Sequence, residues 1–224
     1  MCDSVASSAG RWRVRQRVVV GCFVAFGMCL VGVGPALAGH EPAARAAAAG
    51  CSSQLNRVES GAAGPLRCSA QGVTTIIVAK RTPLGLTSMR VSVQHLRTAS
   101  VLSYTSHGVT IKRVATGGAY VVLTITVANR TRAPQRFSEA DQAELQTNSG
   151  VFLISSEGSQ ADAGTDAWGH PIGPGRSISG DLVFDVSKTA LVAFPHRAFL
   201  RLVNFGMFIS GQSGGQAGII YLGR

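Results

Sequence analysis

The fold of this protein is decided by the stretch AYVVLTITVA, which spans residues 119–128. Every second residue in it is large and apolar, namely Val121, Leu123, Ile125 and Val127. The opposite parity carries the polar residues Thr124 and Thr126. Because successive side chains of a strand point to opposite faces of a sheet, this alternation predicts a β-strand with one buried face and one polar face.

Short segments of the same kind flank this stretch on both sides. They are rich in β-branched and aromatic residues, and Gly, Asn, Ser and Pro separate them. The predicted strands are Val73–Lys80, Ser88–Leu96, Val109–Lys112, Ala119–Ala128, Glu144–Leu145, Val151–Ile154, Ile178–Val186, Ala198–Phe205 and Gly218–Leu222. Short strands without long helices between them predict an antiparallel sandwich or barrel, and their alternating polarity favours a two-layer sandwich over residues 72–224. The one helical signal is Ser138–Leu145, where Ser138 is placed to cap a short helix.

Several motifs resemble a known family. The stretch Tyr120–Arg132 contains a strand that ends in Val-x-Asn at 127–129, and Phe137, Leu145 and a bend at Asn148–Gly150 follow it. A Pro-Gly turn at Gly173–Gly175 then leads into the strand GDLVFDV at 180–186. In these features residues 87–204 resemble the telokin-like secreted bacterial family, a domain family of unknown function that shares its fold with an immunogenic mycobacterial secreted antigen. The resemblance implies an all-β, immunoglobulin-like antiparallel β-sandwich that is exported. It carries over no catalytic residues.

The N-terminus has the three parts of a secretory signal peptide. A basic region is followed by the apolar run Val18–Val33, and then by Ala36 and Ala38 at the two positions that a signal peptidase inspects. The basic region consists of Arg11, Arg13, Arg15 and Arg17. We expect cleavage after Ala38, so that residues 1–38 leave and no stable membrane span remains. The alternative is an uncleaved anchor, for which the apolar run is a little short.

The cysteines point to an oxidising compartment. The chain has 5 cysteines, and only Cys51 and Cys68 remain after removal of the signal. An even number in an exported chain predicts a disulfide between them. Residues 39–71 are rich in Ala, Gly and Ser, so we interpret them as a flexible linker that this disulfide closes into a loop. The alternative for Cys51 is lipidation, although Glu41 and Arg45 separate it from the apolar run.

The charge distribution is uneven along the chain. Lys and Arg number 21 and Asp and Glu 11, a net charge of +10. Residues 39–136 carry 12 basic and 2 acidic residues, whereas residues 137–224 carry 5 and 8. Such asymmetry suits a basic face that meets an anionic wall polymer, a lipid headgroup or nucleic acid. The basic residues are nevertheless scattered singly, and no nucleic-acid motif accompanies them, so no nucleic-acid partner is predicted.

Two constellations deserve a chemical interpretation. Gly211–Gly215 contains a G-x-S-x-G pattern around Ser213, but no histidine motif and no following helix accompany this serine, as a nucleophile would require. Glu157, Asp162 and Asp166 are hard oxygen ligands at short spacing, which is the type of set that holds Ca²⁺, although the spacing matches no EF-hand. A glycine-rich turn and a solvated acidic loop are the simpler interpretations. Nothing in the sequence predicts a cofactor.

The sequence therefore predicts a secreted, non-enzymatic β-sandwich that binds an unknown protein or cell-wall partner at the envelope or outside the cell. Loops at one end of the sandwich and the basic strands form the expected contact surface. The alternatives are an envelope-anchored structural protein and a secreted serine hydrolase that uses Ser213.

Overall fold

The structure is a computed structural model, which describes residues 51–62, 64–70, 73–192, 194–195, 197–205 and 216–223. This part of the chain contains twelve strands. They are β1 Leu66–Ala70, β2 Val73–Ala79, β3 Leu84–Gly85, β4 Met89–Ala99, β5 Val101–Ser106, β6 Val109–Val114, β7 Gly118–Asn129, β8 Ala143–Thr147, β9 Gly150–Leu153, β10 Ser177–Ser187, β11 Phe199–Phe205 and β12 Gln216–Tyr221. The helices are α1 Ser52–Glu59, α2 Glu139–Gln142, α3 Ser156–Gln160, a 3₁₀ helix Ala163–Ala167 and α4 Lys188–Val192.

The strands form two packed sheets and one separate hairpin. One sheet has the order β1-β2-β12-β11-β8-β9, the other has the order β10-β7-β4-β3, and β5 pairs with β6. The predicted all-β sandwich is confirmed. Its pairing is antiparallel except between β2 and β12, which run parallel. This exception arises because β12 pairs antiparallel with β11 and enters the sheet beside β2.

The core lies between the two sheets and uses the predicted face of β7. Val121, Leu123, Ile125 and Val127 are all fully buried, and the matching parity of β10 packs beside them through Leu182, Phe184 and Val186. The register places Leu182 opposite Leu123 and Phe184 opposite Val121. The six-stranded sheet contributes Leu145, Leu200, Leu202 and Ile220 from its inner face. Burial of this apolar surface is the main term that stabilises the sandwich.

The folded part of the chain begins earlier than the sequence predicts. The flexible linker predicted over 39–71 is wrong for residues 51–62 and 64–70, because these form α1 and the edge strand β1. Val58 of α1 is buried against Ile77, Ile219 and Tyr221, which are the outward residues of β2 and β12. The disulfide predicted between Cys51 and Cys68 is present and joins the start of α1 to β1, with a Cα–Cα distance of 5.7 Å.

The outer face of the four-stranded sheet is partly covered by its own connections. The β5–β6 hairpin and α3 bury Tyr120, Val122 and Val183, which point away from the main core. The Tyr120 hydroxyl donates to the Val114 carbonyl at 3.2 Å. Burial raises the pKa of Tyr120 above its ordinary value, and the nearby carboxylates of Asp185 and Glu157 raise this pKa further while Arg113 lowers it.

The predicted N-terminal processing lies outside the described residues. This applies to the signal peptide 1–38 with Ala36 and Ala38, and to the linker up to residue 50. These assignments stay predictions. Within the ranges that the structure describes, no helix is long and apolar enough to cross a membrane.

Candidate binding surface

The three carboxylates predicted to hold calcium do not meet in one group. Asp162 forms an ion pair with Arg97, and its Oδ1 accepts a hydrogen bond from Gly164 N at 2.9 Å. Asp166 accepts from the Tyr104 hydroxyl at 2.9 Å, and Glu157 lies in the first turn of α3. Among the described residues, no three His, Cys, Asp or Glu side chains are close enough to hold a metal ion.

These acidic residues instead secure a covering segment on the sheet. Arg97 also lies 3.4 Å from Asp181 Oδ2, and Thr124 donates to Asp181 Oδ1 at 2.6 Å. The Trp168 indole donates to the Asp181 carbonyl at 2.7 Å. Because the carboxylates of Asp162, Asp166 and Asp181 all have partners within the chain, we assign this network a structural role: it holds the connection from α3 to Trp168 against β10.

The catalytic alternative cannot be assembled from the described residues. Ser213 lies outside them, as do His40 and His196. His95 lies in β4, His107 at the tip of the β5–β6 hairpin, and His170 in the loop before Pro171. The hydrolase hypothesis therefore stays a prediction without structural support.

A buried asparagine organises one end of the sandwich. Asn129 closes β7, as the Val-x-Asn motif indicates, and is 2% exposed. Its amide nitrogen donates to the carbonyls of Ala133 and Ile172, each at 2.8 Å. Its Oδ1 accepts from Thr131 N at 2.8 Å, with the Thr131 hydroxyl also at 2.8 Å. One side chain therefore shapes the loop after β7 and ties it to the loop before β10.

Two further contacts join the same loops. Gln135 and Ile172 exchange two backbone hydrogen bonds, of 3.0 and 2.7 Å. Arg136 donates to the Gly169 carbonyl at 3.2 Å. The loops are therefore held in a fixed relation by backbone pairing as well as by Asn129, and they form a rigid platform for the side chains that they carry.

Five exposed arginines lie on this end of the sandwich, and we call them the arginine surface: Arg90, Arg130, Arg132, Arg136 and Arg176. Strand pairing explains why they come together. Ala128 of β7 lies between two partners, Arg90 of β4 on one side and Ser177 of β10 on the other. Arg130 comes just after the end of β7. It therefore lies between the start of β4 on one side and Arg176, which comes just before β10, on the other.

The arginine surface has no acidic partner among the described residues. The ion pairs of the described residues involve Arg97 and Arg201, and both of these arginines lie outside the arginine surface. The next acidic residues along the chain, Glu139 and Asp141, lie in α2, which packs against β11 of the other sheet. Five exposed positive charges at one end of the sandwich, without an acidic partner there, create a positive potential that attracts anions.

Polar side chains continue from the arginine surface along the outer face of the sheet. The row next to Arg90, Ala128 and Ser177 consists of Ser92, Thr126 and Ser179. The Thr126 and Ser179 hydroxyls are 2.7 Å apart, and Gln94 donates to Ser92 Oγ at 3.0 Å. This hydroxyl row is uncharged and offers both donors and acceptors to a ligand.

The sequence interpretation missed this clustering. It treated the basic residues as scattered singly, whereas strand pairing collects five arginines at one end. The available signal was their position: Arg130, Arg132 and Arg136 lie in the segment that follows one predicted strand, and Arg176 comes just before the strand that pairs with it. Residues at adjoining ends of antiparallel neighbours must lie close together.

The chain is similar in fold to bacterial proteins of unknown function. An uncharacterised β-sandwich protein from Clostridium difficile 630 is 11% identical, with a TM-score of 0.39 over 66% of this chain and 93% of that one. A functionally unknown protein from Listeria monocytogenes EGD-e is 12% identical, with a TM-score of 0.43 over 70% and 85%. A conserved hypothetical protein from Bacillus anthracis is 13% identical, with a TM-score of 0.41 over 56% and 87%.

No curated protein matches the chain. A family model does match residues 87–193, which extend from just before β4 to just after α4. The predicted resemblance to a domain family of unknown function is thereby confirmed at this coarser level. This part of the chain matches the family described as "Domain of unknown function (DUF4352)".

Proposed function

We propose that this protein is a secreted, non-enzymatic binding module that attaches to an anionic component of the cell envelope or its surroundings through the arginine surface. The observation that carries the proposal is the group of five exposed arginines on loops fixed by Asn129. A rigid platform lowers the entropy cost of binding, because its loops need little ordering when the partner arrives. Uncompensated positive charge raises the rate of encounter with an anionic partner.

Export is supported by three sequence features. These are the signal pattern ending at Ala36 and Ala38, the pairing of Cys51 with Cys68, and the resemblance to the telokin-like secreted bacterial family. We include in the proposal that the protein is related to this telokin-like family and to the mycobacterial secreted antigen that shares its fold. A disulfide is typical of proteins that fold outside the cytoplasm.

Export is tested by the intact mass of the protein recovered from its own host without reduction. We expect a mass equal to Gly39–Arg224 less two hydrogens. A mass that begins at Cys51 and includes acyl chains, or one that retains the apolar run, would instead support the envelope-anchored alternative.

Binding is tested by the distribution of the protein between the medium and the envelope fraction of its host. We expect the wild-type protein in the envelope fraction, from which concentrated salt releases it. Alanine at all five positions of the arginine surface should move it to the medium. The matched control removes equal charge at other surface positions, namely Arg57, Arg67, Lys80, Arg81 and Lys112. Equal distribution of the two variants would refute the proposal.

A further inference from the structure

We propose that the ligand of the arginine surface is an extended polymer whose repeats are joined by phosphodiesters, and that it runs from the arginines along the hydroxyl row. This inference rests on the proposed function and names the ligand class for the same surface. It commits to a polymer in solution or in the wall, rather than to a lipid bilayer or to nucleic acid.

The cations of the arginine surface share one chemistry. All five are arginines, while the described lysines, Lys80, Lys112 and Lys188, lie elsewhere. A guanidinium presents a planar fork of donors that matches the paired oxygens of phosphate or carboxylate, whereas an ammonium acts as a point charge. A surface made of arginine alone therefore suits an oxyanion that is bound in a defined geometry.

The charge and the extent of the arginine surface both exceed what one small anion can match. One phosphate group carries at most about two negative charges, which is too few for five guanidiniums. Arg90 and Ser177 lie on either side of Ala128, so the flanking strands are about 10 Å apart at the usual strand spacing. A chain with one charge per repeat could compensate several arginines across this width, and a small anion could not.

The side chains beside the arginine surface also suit a polyanion. The hydroxyl row of Ser92, Thr126 and Ser179 supplies donors for further phosphate oxygens without adding negative charge. The nearest carboxylate on that face, Asp181, already accepts from Thr124 and pairs with Arg97. A polyanion therefore meets no unpaired acidic group for two strand rows beyond the arginines.

Two competing ligands, single-stranded nucleic acid and a lipid membrane, lack complementary contacts on the arginine surface. The aromatic residues at this end, Phe137 and Trp168, are buried against each other, with ring centroids 5.1 Å apart. Single-stranded nucleic acid is held largely by stacking on exposed aromatics. The exposed large apolar residues that a membrane would take up lie elsewhere, at Val101, Val109, Val114, Val151, Leu153 and Val192. Neither bases nor acyl chains would find a complementary contact on the arginine surface.

The inference is tested with a fluorescent poly(glycerol phosphate) chain and the exported protein, by anisotropy at several salt concentrations. If five phosphates are neutralised, the slope of log K against log salt approaches −3.5, at ~0.7 per phosphate of a flexible chain. A rise from about 50 to about 200 mM salt should then weaken binding about 100-fold. Each single Arg→Ala substitution on the surface should reduce the slope by about 0.7.

Three variants separate the inference from simpler explanations. Alanine at all five positions should abolish polymer binding without changing the circular dichroism, and the unfolding midpoint should fall only slightly, because one exposed hydrogen bond, from Arg136 to the Gly169 carbonyl, is lost. The variant with equal charge removed at Arg57, Arg67, Lys80, Arg81 and Lys112 should bind like the wild type. Lysine at all five positions of the arginine surface should keep the salt slope but weaken binding several-fold, because the charge remains and the fork is lost.

Experiments with competing ligands show whether the proposed ligand class is wrong. Inorganic phosphate at equal phosphate concentration should not displace the polymer. Tighter binding to phosphatidylglycerol vesicles than to the polymer, or tighter binding to single-stranded DNA, would overturn the inference, as would equal binding by the wild type and the five-alanine variant. If envelope retention still required the arginine surface after such a result, the proposed function would stand and only the ligand class would fail.

Discussion

Asn129→Ala is expected to lower the free energy of unfolding by about 2–4 kcal/mol. The side chain makes four close polar contacts, to the carbonyls of Ala133 and Ile172 and to the amide and hydroxyl of Thr131. A typical intramolecular hydrogen bond contributes about 1 kcal/mol net, and a buried group left without a partner costs more. The four contacts would all be lost at full cost only if every partner stayed buried. Ala133 is exposed, so its carbonyl can turn to water, and the expected loss of unfolding free energy is smaller for that contact.

The measurement is equilibrium unfolding in urea, followed by circular dichroism. The matched control is Asn148→Ala in the exposed turn between β8 and β9, which should change the free energy by less than about 0.5 kcal/mol. Asn129→Asp preserves the shape but turns a carboxylate oxygen toward two carbonyl oxygens, so it should destabilise the fold at least as much as alanine at neutral pH. If Asn129→Ala were no more destabilising than Asn148→Ala, our account of how this end is organised would be wrong.

Three further predictions concern the rest of the sandwich. Gly180→Ala should destabilise the fold by about 1–3 kcal/mol, because the added Cβ would lie 2.7 Å from the Trp168 ring; in the chain that begins at Gly39, where Trp168 is the remaining tryptophan, the emission should shift to longer wavelength, and an unchanged spectrum would contradict the packing. Tyr120→Phe should lower the free energy of unfolding by about 1 kcal/mol at neutral pH, because the variant lacks the hydrogen bond to the Val114 carbonyl. The wild type should also lose stability above about pH 10, because the unfolded phenol, with the lower pKa, releases its proton first; the variant should show less of this alkaline decline, and parallel pH profiles would refute the assignment. Serine at both disulfide positions should cost about 3 kcal/mol for a loop of this length, measured by unfolding without reductant, and a midpoint equal to that of the wild type would show that α1 needs no covalent anchor.

The main strands were predictable because their residues carry the information locally. The alternation in β7 predicts both the strand and its inward face, since burial of one face requires a period of two. The structure places β7 at Gly118–Asn129 and buries the predicted parity. The same holds for β10, whose apolar parity packs beside it.

The error over residues 51–62 and 64–70 has a physical reason. Few apolar side chains occur there, so the segment alone cannot offset its ordering entropy. The disulfide and the outward residues Ile77 and Ile219 supply what the segment lacks. A signal was present in β2, where Ile76, Ile77 and Val78 form a continuous apolar run, because such a run indicates a strand buried on both faces.

The sequence by itself determined the strands β4, β7 and β10 with their inward faces, and the partners of the disulfide. These properties depend on neighbours along the chain or on counting residue types. The tertiary structure alone decided that Asp162 pairs with Arg97 rather than joining Glu157 and Asp166 in a metal site. It also decided that the arginines scattered along the sequence form one surface, because strand pairing places residues from distant parts of the chain at the same end of the sandwich.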